Sequence, residues 1–323
     1  MRKSIWFISI LAFTATGSSL AQRIDNTPSF RNVTGDGYFR FHYDNDFFNK
    51  TDYYYTQGYQ LELVAPFIRK NPINKGLLKL KSSRSKYGIS FEHYGLTPTS
   101  IKSDAILYND RPFAGVILLK SFAISIDSIR KERLVSTLST GMIGPAAFAG
   151  RMQQTIHRWS GDAVPHGWQY QIGNDVAVNY EVSHEKEIFN IDNIASINTT
   201  AQVRIGTLSD KLTTGFTLTL GRFDSPFRSS EKSHSRNFQL YAYSQPLIAL
   251  IGFDASLQGG IFNRKNPYTL SPSDVKRLTF QNNVGVVAHF WKIYLEYNRT
   301  FLTREFKSGR KHQWGGVKLG YAF

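Results

Sequence analysis

Tyr59-Gln60-Leu61-Glu62-Leu63-Val64-Ala65 sets apolar against polar side chains at nearly every second position. A period of two is that of a β-strand, whose successive side chains point to opposite faces. Tyr59, Leu61, Leu63 and Ala65 are expected on one face, and Gln60 and Glu62 on the other. The same pattern recurs over Lys292-Ile293-Tyr294-Leu295-Glu296-Tyr297-Asn298 and at the C-terminus. There, positions 317, 319, 321 and 323 are apolar and the last residue is Phe323. Such segments predict strands near 37–46, 55–65, 85–95, 112–125, 132–143, 173–187, 195–208, 212–223, 247–264, 277–289, 291–304 and 312–323.

Twelve strands is an even number, as single-chain barrels of the outer membrane have, and it returns both termini to the periplasmic side. Two regions fit this scheme less well. The connection 66–84 is long for a periplasmic turn and has room for a short helix. Residues 237–245 belong either to the connection before strand nine or to that strand. The outer connections are then expected at about 47–54, 96–111, 144–172, 209–211, 265–276 and 305–311. The longest carries a helix signal. Pro145 suits a first helical turn. Phe148, Met152, Ile156 and Trp159 form an apolar stripe at helical spacing, Gln153 and His157 share another face, and Gly161 is a stop.

Composition sharpens the picture. Residues 1–21 have Arg2 and Lys3, an apolar run from Ile5 to Ala15, and Ser19-Leu20-Ala21, so a secretory signal cleaved before Gln22 is expected. The chain has no Cys, which excludes a lipid-anchored lipoprotein, disulfides and a thiol nucleophile. No later segment offers the ~20 consecutive apolar residues of a membrane helix. A closed barrel still spans a bilayer, because every backbone polar group is paired between strands. The 24 Phe, 17 Tyr and 5 Trp supply aromatic girdles for one all-β, antiparallel barrel domain over residues 22–323. A net charge of +15 fits the phosphorylated glycolipid of an outer leaflet, and equally a set of solvated loop charges. A secreted barrel has no nucleic acid to meet. Closure also removes the edges that drive pairing, in keeping with a monomer.

Candidate chemistry clusters in the first half. Asp44-Asn45-Asp46, Thr51-Asp52 and Tyr55-Thr56-Gln57-Gly58 lie at the expected outer ends of strands one and two. Their carboxylate and amide oxygens suit a hard cation such as calcium, and the same residue types form ordinary turns. The spacing is not that of an EF-hand. His157 on the rim helix is either a packed histidine or a base able to take a proton from water near Asp46 and Thr56. There is no Gly-x-Ser-x-Gly elbow. His184-Glu185 lacks the second His of a zinc-protease helix.

At these motifs the chain resembles the lipid A 3′-O-deacylase (LpxR-like) family of outer-membrane enzymes. The resemblance is carried by Asp44-Asn45-Asp46-Phe47-Phe48 with Thr51-Asp52 and Tyr55-Thr56-Gln57-Gly58, and by Asp110-Arg111-Pro112-Phe113-Ala114-Gly115. It continues from Gly144-Pro145 through Gln153, His157, Gly161, Gly167-Trp168 and Gln171-Ile172 to Asn174. It implies a twelve-stranded barrel that removes the 3′-linked acyloxyacyl chain of lipid A in lipopolysaccharide and depends on calcium. In it His157 activates water, Asn45 and Asp46 hold calcium or orient the imidazole, Thr56 contributes a hydroxyl, and Lys102 supports an oxyanion or phosphate. Where some members have a Glu six residues after the histidine, this chain has Ala163, with Asp162 beside it as a substitute metal ligand. The alternatives are a non-enzymatic channel or structural barrel, or another lipid enzyme such as a phospholipase.

Overall fold

A computed structural model describes residues 35–46, 53–81, 83–227 and 237–323. The expected signal and the Thr51-Asp52 pair lie outside these residues. Twelve antiparallel strands run in chain order and close when β1 pairs with β12. They are β1 (Tyr38–Asn45), β2 (Tyr54–Val64), β3 (Arg84–Thr97), β4 (Ala114–Asp127), β5 (Glu132–Ile143), β6 (Asp175–Ile191), β7 (Ala195–Gly206), β8 (Ser209–Arg222), β9 (Phe238–Asp254), β10 (Leu278–Phe290), β11 (Ile293–Leu302) and β12 (His312–Ala322).

Alternation sorts the side chains as the sequence predicts. On β11, Ile293, Leu295 and Tyr297 are exposed on the outer wall, while Tyr294, Glu296 and Asn298 are buried inside. On β2, Leu61 is exposed and Glu62 is buried, accepting a bond from Tyr38 at 2.6 Å. An outward apolar row on successive strands is the surface hydrocarbon requires. Paired charges and amides occupy much of the lumen. Lys318 meets Glu296 at 2.7 Å, Lys120 meets Glu92 at 2.5 Å, and Arg133 meets Glu185 at 2.6 Å. Gln245, Asn283 and Thr300 continue the network. Arg40, Arg111, Trp314 and Phe122 are fully buried. Beside Arg111 and Trp314 lies a cavity of about 30 Å³, lined also by Glu305 and His312, with room for a small number of waters.

The two ends of the barrel differ. The connection between β10 and β11 is only Trp291 and Lys292, with Trp291 left-handed at φ 52°. On the opposite rim lie the two longest connections, 144–174 and 255–277, so that rim is extracellular. Phe290, Trp291, Tyr321 and Phe323 form an aromatic girdle at the periplasmic end. The N–H of Phe323 bonds to Gly37 at 3.1 Å, and its ring occupies the space a Cβ on residue 37 would need.

Two expectations are corrected. Strand nine does not span 247–264. It starts at Phe238, taking in 238–245, and ends at Asp254. Beyond it comes a four-residue helix (Ala255–Gln258) and then a loop. Asp175 accepts the N–H groups of Phe262 and Asn263 at 2.8 and 2.9 Å, which removes the donors a ladder would use. The connection 66–84 holds two 3₁₀ helices, Pro66–Lys70 and Pro72–Gly76, rather than one helix.

Candidate active site on the outer wall

Helix α1 (Ala149–Ser160) lies in the connection between β5 and β6 and contacts β3 and β4. It does not begin at Pro145. Pro145–Ala147 is a 3₁₀ turn, Phe148 is left-handed at φ 49°, and Gly161 closes the helix at φ 77°. The side facing the barrel is not the apolar stripe. Ala149, Gly150 and Gln153 are buried, whereas Phe148, Ile156 and Trp159 are 40%, 39% and 85% exposed. The wall explains the inversion. Gly95 on β3 pairs with Gly115 on β4. A Cβ on Gly115 would stand 2.8 Å from the Cβ of Ala149, and one on Gly95 would stand 3.4 Å from it. Paired glycines let only small side chains approach. Ile156 and Trp159 are left exposed.

These glycines are on the outside of the barrel. Tyr94 and Val116, their neighbours in sequence, pack in the interior cluster with Tyr55 and Trp314. The same register carries Asn45 opposite Gln57, and Gln57 opposite Gly95. Asn45 is thus on the outer face of β1, the face opposite to that of Asp44, and donates to Tyr43 Oη at 2.9 Å. A bulge between Tyr55 and Gln57 inserts Thr56 into β2. Such a bulge re-aims a side chain. Thr56 Oγ1 accepts from Gln153 Nε2 at 2.8 Å, and Gln153 Oε1 accepts from Trp168 Nε1 at 2.7 Å. An indole N–H only donates, so it fixes which end of the amide faces which partner. Trp168 in turn packs with Ile101, Phe113 and Ala149.

His157 lies one turn beyond Gln153, an axial rise of about 6 Å. Its Nδ1 is 2.8 Å from the carbonyl oxygen of Ala163. A carbonyl only accepts, so Nδ1 carries the proton and the neutral ring keeps its lone pair on Nε2. Position 163 therefore acts through its backbone. Among the described residues no hydrogen bond joins His157 to Asn45, Asp46 or Thr56. The link between helix and wall is Gln153. Asp46 is buried at the end of β1, with Oδ2 accepting from the N–H of Tyr53 at 2.8 Å. Asp162 accepts from Ser160 at 2.5 Å and touches neither Asn45 nor Asp46 through any described bond. Lys102 is exposed on the loop before β4, adjacent to Ile101, the anchor under α1. Asp110 accepts from Thr99, and Arg111 is buried against Glu305 and Ser256, so this motif braces the rim.

A model of the family described as outer membrane protein LpxR matches residues 6–323. The chain belongs to the LpxR outer-membrane protein family. Among solved structures, LpxR from Salmonella typhimurium is similar over 88% of this chain and 100% of its own, at 16% identity and a TM-score of 0.71. The β domain of the Bordetella autotransporter BrkA aligns over 90% of this chain and 100% of its own, at 9% identity and a TM-score of 0.49. No curated protein sequence matches. Family and barrel together place this LpxR-family chain in the bacterial outer membrane.

One group at the LpxR-family site, His93, was not singled out from sequence, and Gln57 was named there only within the Tyr55–Gly58 motif, with no role of its own. Gln57 is buried, and its Nε2 has no hydrogen-bond partner among the described residues. His93, one row below Gly95, donates from Nε2 to Ala147 O (2.7 Å) and stacks on Phe148 with centroids 4.7 Å apart. Period-two counting puts both on the outer face. What the sequence lacks is the helix that covers them.

The described residues contain no group of three or more His, Asp or Glu that could hold a metal. Asn45 and Asp46 nonetheless offer an amide and a carboxylate oxygen, which suit a hard cation whose remaining ligands are carbonyls and water.

Proposed function

We propose that this protein is an ester hydrolase that removes the 3′-linked acyloxyacyl chain of lipid A, with His157 as the group that activates water. The observation that carries the reading is the Gln153–Thr56 bond. It clamps the helix bearing His157 onto the lipid-facing wall near the extracellular rim, the surface that meets the leaflet in which lipid A sits. Paired side chains occupy much of the lumen, so a lumenal site has no comparable access.

In this reaction Nε2 of His157 takes a proton from water as the oxygen attacks the ester carbonyl. The tetrahedral intermediate collapses, the bond to the sugar oxygen breaks, and the proton held by His157 passes to that oxygen. The products are a free sugar hydroxyl and the acyloxyacyl acid. The Ala163 carbonyl keeps the ring in the tautomer this requires. Gln57 Nε2 is a buried amide donor on the same wall, suited to a developing oxyanion. Lys102, exposed on the loop before β4, supplies a cation for the oxyanion or a lipid phosphate. Asn45 and Asp46 are the residues to hold calcium, which would polarise the ester carbonyl. The protein acts as a monomer.

The test is mass spectrometry of lipid A from cells that carry a 3′-acyloxyacyl group and express either the wild type or His157→Ala. Loss of the chain with the wild type and its retention with a folded His157→Ala barrel is the expected result. Intact lipid A with both proteins overturns the proposal. Release of fatty acid from glycerophospholipid instead would point to a phospholipase.

A further inference from the structure

The connection 65–81 between β2 and β3 does not hang below the barrel as a turn. It folds back onto the outer wall of β4–β6. Asn71 Nδ2 bonds to Ser121 Oγ at 3.4 Å, and Ser136 Oγ donates to Leu78 O at 2.7 Å. Tyr180 Oη accepts from Leu78 N and donates to Gly76 O, each at 3.0 Å. Ser121 alternates with the lumenal Lys120, and Ser136 alternates with Arg133 and Val135, so these serines face out. They are buried because the connection covers them. Small polar residues on a lipid-facing wall are explained by this cover, as is the pair of 3₁₀ turns that hold the segment flat.

The exposed side of the segment is amphipathic. Phe67, Ile73 and Leu78 are 67%, 43% and 56% exposed. Interleaved with them are Arg69, Lys70, Lys75, Lys79 and Lys81, all exposed, and no Asp or Glu occurs from 65 to 81. Arg69, Lys70, Lys75 and Lys81 enter no ion pair among the described residues. Lys79 reaches Asn74 O at 3.3 Å and lies over the Tyr87 ring at 5.8 Å. Leu78 touches Ser136, the fifth residue of β5 counted from its periplasmic end, so the segment spans on the order of 10 Å of wall at the membrane boundary. An apolar face with cations on its rim, lying flat at that depth, is the pattern of an interfacial anchor.

We propose that residues 65–81 form a collar that binds anionic phospholipid headgroups of the periplasmic leaflet. Phe67, Ile73 and Leu78 enter the acyl boundary. Arg69, Lys70, Lys75 and Lys81 meet lipid phosphates, and Asn71, Leu78 and Gly76 hold the segment to the wall. This inference does not depend on any activity of the outer site.

The full-length protein is reconstituted in vesicles of equal parts phosphatidylethanolamine and phosphatidylglycerol, extracted with its bound lipid, and the retained lipids counted by native mass spectrometry. The wild type is expected to retain phosphatidylglycerol in excess. Arg69→Gln/Lys70→Gln/Lys75→Gln/Lys81→Gln should lower that excess on the order of tenfold. Arg264→Gln/Lys265→Gln/Arg310→Gln/Lys311→Gln, with the same charge removed at the opposite rim, should keep it. Equal retention by the wild type and the collar variant, equal loss in both variants, or no excess in the wild type overturns the proposal. Should the collar variant fail to fold, ionic strength serves on the wild type alone. Raising it from about 0.1 M to about 1 M shortens the Debye length from about 10 Å to about 3 Å. The excess should then collapse, and its persistence overturns the proposal.

Discussion

Replacing Gln153 by Leu tests the clamp between helix α1 and the wall. The side chain has two buried bonds, to Thr56 at 2.8 Å and from Trp168 at 2.7 Å. Leu is of similar size and makes neither. The indole N–H and the threonine hydroxyl are then left without that partner in a buried place, each at about 1–3 kcal/mol. The added apolar burial returns about 1–2 kcal/mol. A net loss of roughly 3 kcal/mol lowers the ratio of docked to undocked helix on the order of 10²-fold. Arg158 lies exposed near the end of α1, and trypsin cuts only where the helix opens. The variant in detergent should be cut at Arg158 far faster than the wild type while the barrel stays intact. Its lipid A deacylation should fall in parallel. Thr56→Val added to Gln153→Leu should cost little more, because one bond is shared. Cleavage and deacylation within about twofold of wild type would show that Ala149 and Gly150 hold the helix without the amide, and the clamp argument would fail.

Three further outcomes follow from the same geometry. Gln57→Leu removes the unpartnered Nε2 donor and should lower kcat about 10²-fold with little change in KM, as loss of an oxyanion donor does; an unchanged kcat removes Gln57 from the reaction. Chelation with EGTA should abolish deacylation and added calcium restore it, with Asp46→Asn shifting the calcium needed upward; full activity in chelator refutes the calcium proposal. Glu305, outside the strands, is raised from 4.5 to about 7 by burial, against the opposing pull of Arg111. The folded form therefore keeps a proton that the unfolded chain has lost between these values, so Glu305 lowers stability as pH rises from about 4.5 to about 7. Unfolding midpoints measured across this window should fall for the wild type and flatten for Glu305→Gln.

The barrel was legible because lipid on one side and packed polar groups on the other impose a strict period of two. Leu61 against Glu62, and Leu295 against Glu296, show it without any tertiary knowledge. Strand nine was misplaced because Pro246 interrupts the pattern and Ile261-Phe262 imitates it. Only the bonds from Asp175 reveal that the second stretch is loop. For the helix, its existence and the sharing of one face by Gln153 and His157 were readable. Which face meets the wall was not. That is decided by Gly95 lying opposite Gly115, a fact of strand register and not of local sequence. Thr56 reaches the helix through a bulge, which alternation alone does not reveal.

That bulge also bears on why the site can lie outside a barrel at all. A strict ladder would give β2 one outward side chain per two residues, and the wall would offer either Thr56 or Gln57 beside Asn45. The inserted residue lets β2 present both near Gly95: Thr56 takes the amide of Gln153, and Gln57 keeps a donor in reserve. The lumen achieves the opposite. Several of its donors and acceptors meet each other, in pairs such as Lys318–Glu296 and Gln245–Asn283, which stiffen the barrel. Polar groups spent on each other hold a cylinder shut, and polar groups held against a helix on the lipid side are placed to meet an ester. On these grounds the proposed chemistry is assigned to the wall between β1 and β4 rather than to the pore.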